Sequence, residues 1–268
     1  MRRTLVRMAA AIGMTLALVT PTLGITFGQL DPGNAFPNVG ALIGSFEGAE
    51  YLFCTGTLIQ DADGGASNLF LTAAHCDDGD GRMSVTFDAT TDMDPDTGEF
   101  VTGDSTVYAG DFIGHESFAC CGANDQYDIA VVVLDREVAG ITPAPVATPN
   151  QLGLMSKAQL RAATFVTVGY GDVRTDKTKG YASFSFDGDR RWVNQTYKNL
   201  IPAWLDLSMQ PSTGDGGTCY GDSGGPHFLN GVVVSLTVTG DAPCRSTDKT
   251  YRVDTPVSQE FLSRFLDD

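Results

Sequence analysis

Nine short runs rich in β-branched and aliphatic residues recur along the chain: "NVGALI", "YLFCTGTLI", "NLFLTAA", "MSVTF", "DIAVVVL", "ATFVTVGYG", "WLDLSM", "GVVVSLTV" and "TYRV". Turn-rich, acidic segments such as "DADGGASN", "DDGDG" and "TTDMDPDTGE" separate them, and no helical periodicity intervenes. Parallel strands need a long crossover, usually a helix, so strands joined by turns alone pair antiparallel. Strands this short and this regularly spaced close into antiparallel barrels or sandwiches. One helix is expected, at the C-terminal end, where Thr255 can cap it, Pro256 fits its first turn, and Val257, Phe261, Leu262 and Phe265 share a face. Prolines 143, 145 and 149 cluster in "AGITPAPVATPNQLG", which divides the chain into residues 25–145 and 146–268.

Residues 1–24, "MRRTLVRMAAAIGMTLALVTPTLG", have the basic start, apolar middle and small-residue end of a secretory signal peptide, and Arg2–Arg3 also fits a twin-arginine signal. The apolar run is shorter than the roughly 18 residues that a spanning helix needs, so a soluble, secreted protein is expected. Its removal takes Arg2, Arg3 and Arg7 and no acidic residue, which moves the net charge from −16 to −19. A balance this acidic argues against nucleic acid or an anionic membrane as partner. Six cysteines in an exported chain point to disulfides, and the lack of two CxxC pairs argues against zinc.

The segment "CYGDSGGPHF", 219–228, surrounds Ser223 with glycines. Glycines let a backbone approach a substrate closely and aim N–H groups at developing negative charge, as a nucleophile requires and a packing serine does not. A serine nucleophile needs a base, and the chain has three histidines. His227 is too close in sequence to Ser223 to face it, and His115 lies in the loop "GHESF"; both read as ordinary surface or packing residues. His75, at the end of the strand in "LTAAHC", is the best base. The carboxylate that orients a base is shielded from water, which favours Asp128 at the start of "DIAVVVL" over Asp125 and Asp135.

Together "LTAAHC", "DIAVVVL" and "GDSGGP", in the order His, Asp, Ser, resemble the signature segments of the chymotrypsin- and trypsin-like serine endopeptidases. "CTGTLI", "VGYG" and the terminal helix extend the resemblance over nearly all of the chain beyond residue 24. It implies an all-β fold of two packed six-stranded antiparallel Greek-key barrels with a C-terminal α-helix. Residues 25–145 would form the barrel of His75 and Asp128, and residues 146–268 that of Ser223. It implies catalysis by His75, Asp128 and Ser223, an oxyanion hole from the amides of Gly221 and Ser223, and disulfides Cys54–Cys76 and Cys219–Cys244. Cys120 and Cys121 are left over and could form a vicinal ring, stay reduced or bridge to another molecule.

The resemblance carries further expectations. "ITFG" resembles the start of active family members, so Ile25 would become the N-terminus and pair with Asp222. Gly217 falls at the floor of the pocket for the side chain before the cut, with Thr218 beside it and Gly240 at a wall. With no carboxylate at 217, cleavage after large apolar or aromatic residues is expected rather than after Arg or Lys. Lys249 falls near the other wall, where an inward ammonium would select acidic residues; a one-residue shift would put Asp248 there and favour basic ones. A departure from the family occurs at "VTG", 238–240, where a serine often bonds the buried aspartate; Thr237 or Thr239 would have to substitute. A weak calcium site at Asp92, Asp94, Asp96 and Glu99 competes with a solvated acidic turn; no other cofactor is expected. The implied partners are protein or peptide substrates and protein inhibitors, and a monomer is expected. The alternative is a catalytically silent homologue acting as a binding module. An esterase is disfavoured, since "GDSGG" is not the GxSxG elbow.

Overall fold

The computed structural model describes residues 25–61, 64–94, 96–120, 125–174 and 184–266. The first barrel contains β2 (Val39–Phe46), β3 (Ala49–Leu58), β4 (Leu69–Thr72), β5 (Arg82–Thr86), β6 (Val107–Gly114) and β7 (Ala130–Leu134); a two-residue strand β1 (Gln29–Leu30) precedes it. These six close in the order β2-β3-β4-β7-β6-β5, every pair antiparallel. The second half contains β8 (Thr164–Gly169), the short β9 (Val173–Arg174) and β10 (Phe184–Ser185), then β11 (Arg191–Leu200), β12 (Trp204–Ser208), β13 (Pro226–Leu229), β14 (Val232–Gly240) and β15 (Thr247–Arg252). Strands β11-β12-β15-β14-β13-β8 run in that order, and β8 pairs back onto β11 to close a second six-stranded barrel. The expected fold is therefore present.

All nine sequence runs contribute strands. The strands that the runs missed, chiefly β6 and β11, mix charged and apolar residues: Asp111 interrupts one, and Arg191, Asn194 and Lys198 the other. One helix was also missed, the single short turn pair α1 (Lys157–Ala162), whose Ser156 and Gln159 form a capping box. The terminal helix α2 (Pro256–Leu266) forms as expected: the Ser258 amide donates to Thr255 Oγ1 at 3.2 Å, and Phe261 and Leu262 are buried.

The largest apolar cluster runs between the barrels, joining Val39, Leu71 and Val131 of the first to Phe165, Phe228 and Leu236 of the second. The chain crosses over at Pro145: Ala144 bridges to Ile59 and Val146 to Val233. A fully buried arginine ties the halves together. Arg190, just ahead of β11, donates to the carboxylate of Asp31 at 2.9 Å and to the carbonyls of Val39 and Phe87 at 2.9 Å each. Asp31 in turn accepts from the amides of Ala35 and Phe36, so each member of this buried pair has the partners that offset its loss of water.

Candidate active site

Strand pairing brings His75 and Asp128 together. Thr72, the last residue of β4, pairs with Ala130, the first of β7, so the segments leaving that pair emerge at the same end of the first barrel. One is the 3₁₀ turn Ala74–Cys76, which carries His75; the other carries Asp128. Cys76 is bonded to Cys54 of β3, which fastens the turn to the barrel wall. Asp128 is 4% exposed. Its Oδ1 accepts from the His75 amide at 2.9 Å and its Oδ2 lies 2.7 Å from His75 Nδ1. An ionised carboxylate only accepts, so Nδ1 donates in this bond and Nε2 is the ring nitrogen that Asp128 leaves unengaged.

The loop holding Ser223 comes from the second barrel and is pinned by the Cys219–Cys244 disulfide. It is pressed against the end of β4. A β-carbon on Gly224, which has φ +78°, would lie 2.0 Å from Thr72 Oγ1 and 2.8 Å from the Ala73 amide nitrogen, so only glycine fits there. The Ser223 carbonyl accepts from the Thr55 amide at 2.8 Å and sits 3.7 Å from Cys76 Sγ, beside His75. Among the described residues the amides of Gly221 and Ser223 have no acceptor. Two N–H groups in one glycine-rich turn are thereby left available to an oxyanion.

Thr55 was missed by the sequence reading, although it stands directly after the disulfide cysteine in "CTGTLI". It is fully buried; its Oγ1 donates to the Gly221 carbonyl at 3.0 Å and accepts from the Tyr170 amide at 3.2 Å, while its carbonyl accepts from Thr72 Oγ1 at 2.8 Å. One residue of β3 thus positions both the nucleophile loop and the strand leading to His75. Thr237, one of the two residues expected to replace the family's serine, has a buried hydroxyl with no partner among the described residues, and neither Thr237 nor Thr239 bonds Asp128, which takes both of its bonds from His75.

Asp222 is fully buried, and its two oxygens accept from the amides of Gly171 and Cys219 at 2.8 Å each. Burial pushes its carboxyl up to about 7, the two amides oppose this, and the charges of Asp248 and Asp172 add to it. Ile25 is buried, and next to it Thr26 bridges to Gly217. In the intact chain its nitrogen is a peptide amide, and no bond joins it to Asp222 among the described residues.

A cavity of about 240 Å³ lies beside Ser223, lined by Thr218, Cys219, Tyr220, residues 237–242 and Cys244. It includes Thr218 and Gly240 but not Gly217. Lys249 does not face it: its Nζ lies over the Trp204 ring, 4.7 Å from the centroid, because alternation on β15 sends Asp248 and Thr250 inward and Lys249 outward. Inward stands Asp248, fully buried and 3.1 Å from the Nε2 of buried His227. Burial raises the Asp248 carboxyl, but the His227 imidazole and hydrogen bonds from His227, Gln195 and Thr218 outweigh it and hold the group below its usual value.

Asp94 Oδ1 accepts from the amides of Asp96 and Thr97, which closes the acidic turn on itself. Among the described residues only Cys54, His75 and Cys76 bring three metal-type ligand atoms within 4.8 Å, and both cysteines are committed to a disulfide. Cys120 is also disulfide-bonded, while Cys121 lies outside the described residues.

Two antiparallel barrels with an imidazole–carboxylate couple on one and a glycine-flanked serine on the other define a two-barrel serine-protease scaffold. The sequence matches the trypsin family over residues 25–263, and the chain belongs to that family. Its fold is similar to that of human heparin binding protein, with a TM-score of 0.64, 19% identity, and 91% of this chain and 97% of that one covered. Neuropsin, a serine protease expressed in the limbic system of mouse brain, is similar with a TM-score of 0.63 and 19% identity, covering 85% and 94% of the two chains. No curated protein matches the sequence.

Proposed function

We propose that this protein is a secreted serine endopeptidase that works through an acyl-enzyme. The observation that carries the reading is the His75–Asp128 couple, with Nδ1 2.7 Å from Oδ2, on a turn against which the Ser223 loop is packed. Ser223 Oγ attacks the scissile carbonyl carbon while its proton passes to His75 Nε2, and Asp128 stabilises the imidazolium. The amides of Gly221 and Ser223 receive the oxyanion. Collapse of the tetrahedral species expels the amine, which takes the proton from His75. Water then repeats the sequence in reverse and frees the acid. Thr218 and Gly240 line the pocket for the side chain before the cut, and the absence of a carboxylate at Gly217 favours apolar residues there. Protein inhibitors that mimic a substrate would occupy the same cleft.

Removal of residues 1–24 would free the Ile25 ammonium to pair with Asp222, replacing a buried carboxylate without a cation by an ion pair. The disulfides Cys54–Cys76 and Cys219–Cys244 accord with export. A second reading, a silent binding module, is suggested by the similarity to a protein named for heparin binding. Against a polyanion of that kind stands the net charge of −16. The deciding experiment is labelling with a serine-directed phosphonyl fluoride: an adduct mapped to Ser223, and lost in His75→Ala, supports the enzyme. No adduct on folded protein beginning at Ile25 refutes it.

A further inference from the structure

Strand register decides what lies behind the pocket beside Ser223. Asp248 pairs with Gly240 of β14 and with Leu207 of β12, and its side chain enters the barrel. Its Oδ2 accepts from Gln195 Nε2 at 2.9 Å, faces His227 Nε2 at 3.1 Å and lies 3.5 Å from the Thr218 amide. Its Oδ1 is buried with no hydrogen-bond partner among the described residues. Thr218 and Gly240 both line the cavity, so a carboxylate stands directly behind two of its walls without lining it.

Met209 packs against Gly217 and Gly240 in the same region, and like Asp248 it stands behind the residues that line the cavity. It follows the end of β12 and is 1% exposed. A β-carbon on Gly217 would fall 2.1 Å from Met209 Cγ and 2.3 Å from Sδ, and one on Gly240 would fall 3.6 Å from Met209 Cε. The thioether therefore occupies the space that a side chain at the floor position would fill and reaches across to the wall position. A substrate ammonium or guanidinium that came to rest on it would lose its water and gain no partner. With that place filled, the cavity of about 240 Å³ has no extension toward Gly217 for the end of a long or aromatic side chain.

We propose that Met209 is the specificity-determining residue of this pocket: it closes the base over Asp248, restricting the site to medium-sized apolar side chains, and it hides a carboxylate that would otherwise select Arg or Lys. The inference rests on the endopeptidase reading for its substrate. It shortens the expectation drawn from Gly217 alone, because the room made by a missing side chain at 217 is taken by Met209.

The test uses two readouts. The first is binding of p-aminobenzamidine, a small fluorescent cation that needs a deep pocket and a carboxylate but no turnover. The wild type should bind it weakly, Met209→Ala at least about tenfold more tightly, and Met209→Ala with Asp248→Asn weakly again. The second is kcat/KM on peptides varied at the residue before the cut. The wild type should rank Leu and Val above Phe and Arg, and Met209→Ala should raise Arg by about tenfold or more. Should Met209→Ala fail to fold by circular dichroism, Met209→Val shortens the plug with less loss of packing and carries the same comparison. A folded variant with unchanged amidine affinity, a gain that survives Asp248→Asn, or a wild type that prefers Phe overturns the proposal. A protein inert to every peptide, whose Met209→Ala variant still gains Asp248-dependent amidine binding, sinks the endopeptidase reading and upholds the role of Met209 in the pocket.

Discussion

In a chain whose 24–25 peptide bond is intact, the Asp222 carboxyl is fully buried and, among the described residues, has amides but no cation as partners; burial raises it from 3.8 to about 7. The unfolded chain releases this proton near pH 4 and the folded chain only near pH 7, so between those values folding takes up a proton. The stability that the protonated group allows at low pH is therefore lost as pH rises through about 7. A shift of about three units corresponds to about 4 kcal/mol. Asp222→Asn abolishes the titration but turns an NH₂ group toward one of the two amide donors, a constant cost of about 1–3 kcal/mol. The offset is the same at every pH, so the stability difference between the two proteins should swing by about 4 kcal/mol, in favour of the variant, from pH 4 to pH 8. Denaturant unfolding in a Ser223→Ala background, which prevents self-processing, measures it. Stability curves that stay parallel with pH would refute the argument. In protein beginning at Ile25 the sign should reverse at neutral pH, since the variant then buries an unpaired ammonium at a cost of about 3–5 kcal/mol and loses activity with it.

Asp128→Asn, which keeps the shape but permits the wrong imidazole tautomer, should lower kcat by roughly 10⁴ while leaving the fold intact; a loss under tenfold would remove Asp128 from its orienting role. Gly224→Ala places a methyl 2.0 Å from Thr72 Oγ1 at a left-handed φ, so it should abolish labelling of Ser223 by a phosphonyl fluoride and cost roughly 1–3 kcal/mol in denaturant. Arg190→Ala strands the buried Asp31 carboxylate and should cost about 3–5 kcal/mol, whereas Arg190→Ala with Asp31→Asn should recover part of it; a loss under 1 kcal/mol would refute the latch. The thermal midpoint should be the same in millimolar calcium and in chelator at matched ionic strength, because Asp94 Oδ1 is engaged by two amides of its own turn; a calcium-dependent rise of several degrees would restore the metal site.

Local pattern made the fold class legible and singled out the candidate site residues. Short apolar runs without intervening helices define antiparallel strands whatever their partners, and the capping signals of Thr255 and Pro256 act within one helical turn. The disulfide pairs and the roles expected of His75, Asp128 and Ser223 came from a resemblance to a family that is carried by short, local segments. What lay beyond reach depended on which strand lies beside which. The seating of the Ser223 loop on the strand end that leads to His75 is made by Gly224 against Thr72 and by Thr55 on Gly221, pairs separated by 152 and 166 positions that meet only when the barrels pack. Likewise the pocket could be read at Gly217 but not completed: a one-residue change of register exchanges Lys249 for Asp248 on the inner face of β15, and the side chain that fills the floor, Met209, comes from the end of a different strand. Sequence order carries the chemistry of each residue, whereas strand register and side-chain packing decide which of them share a cavity.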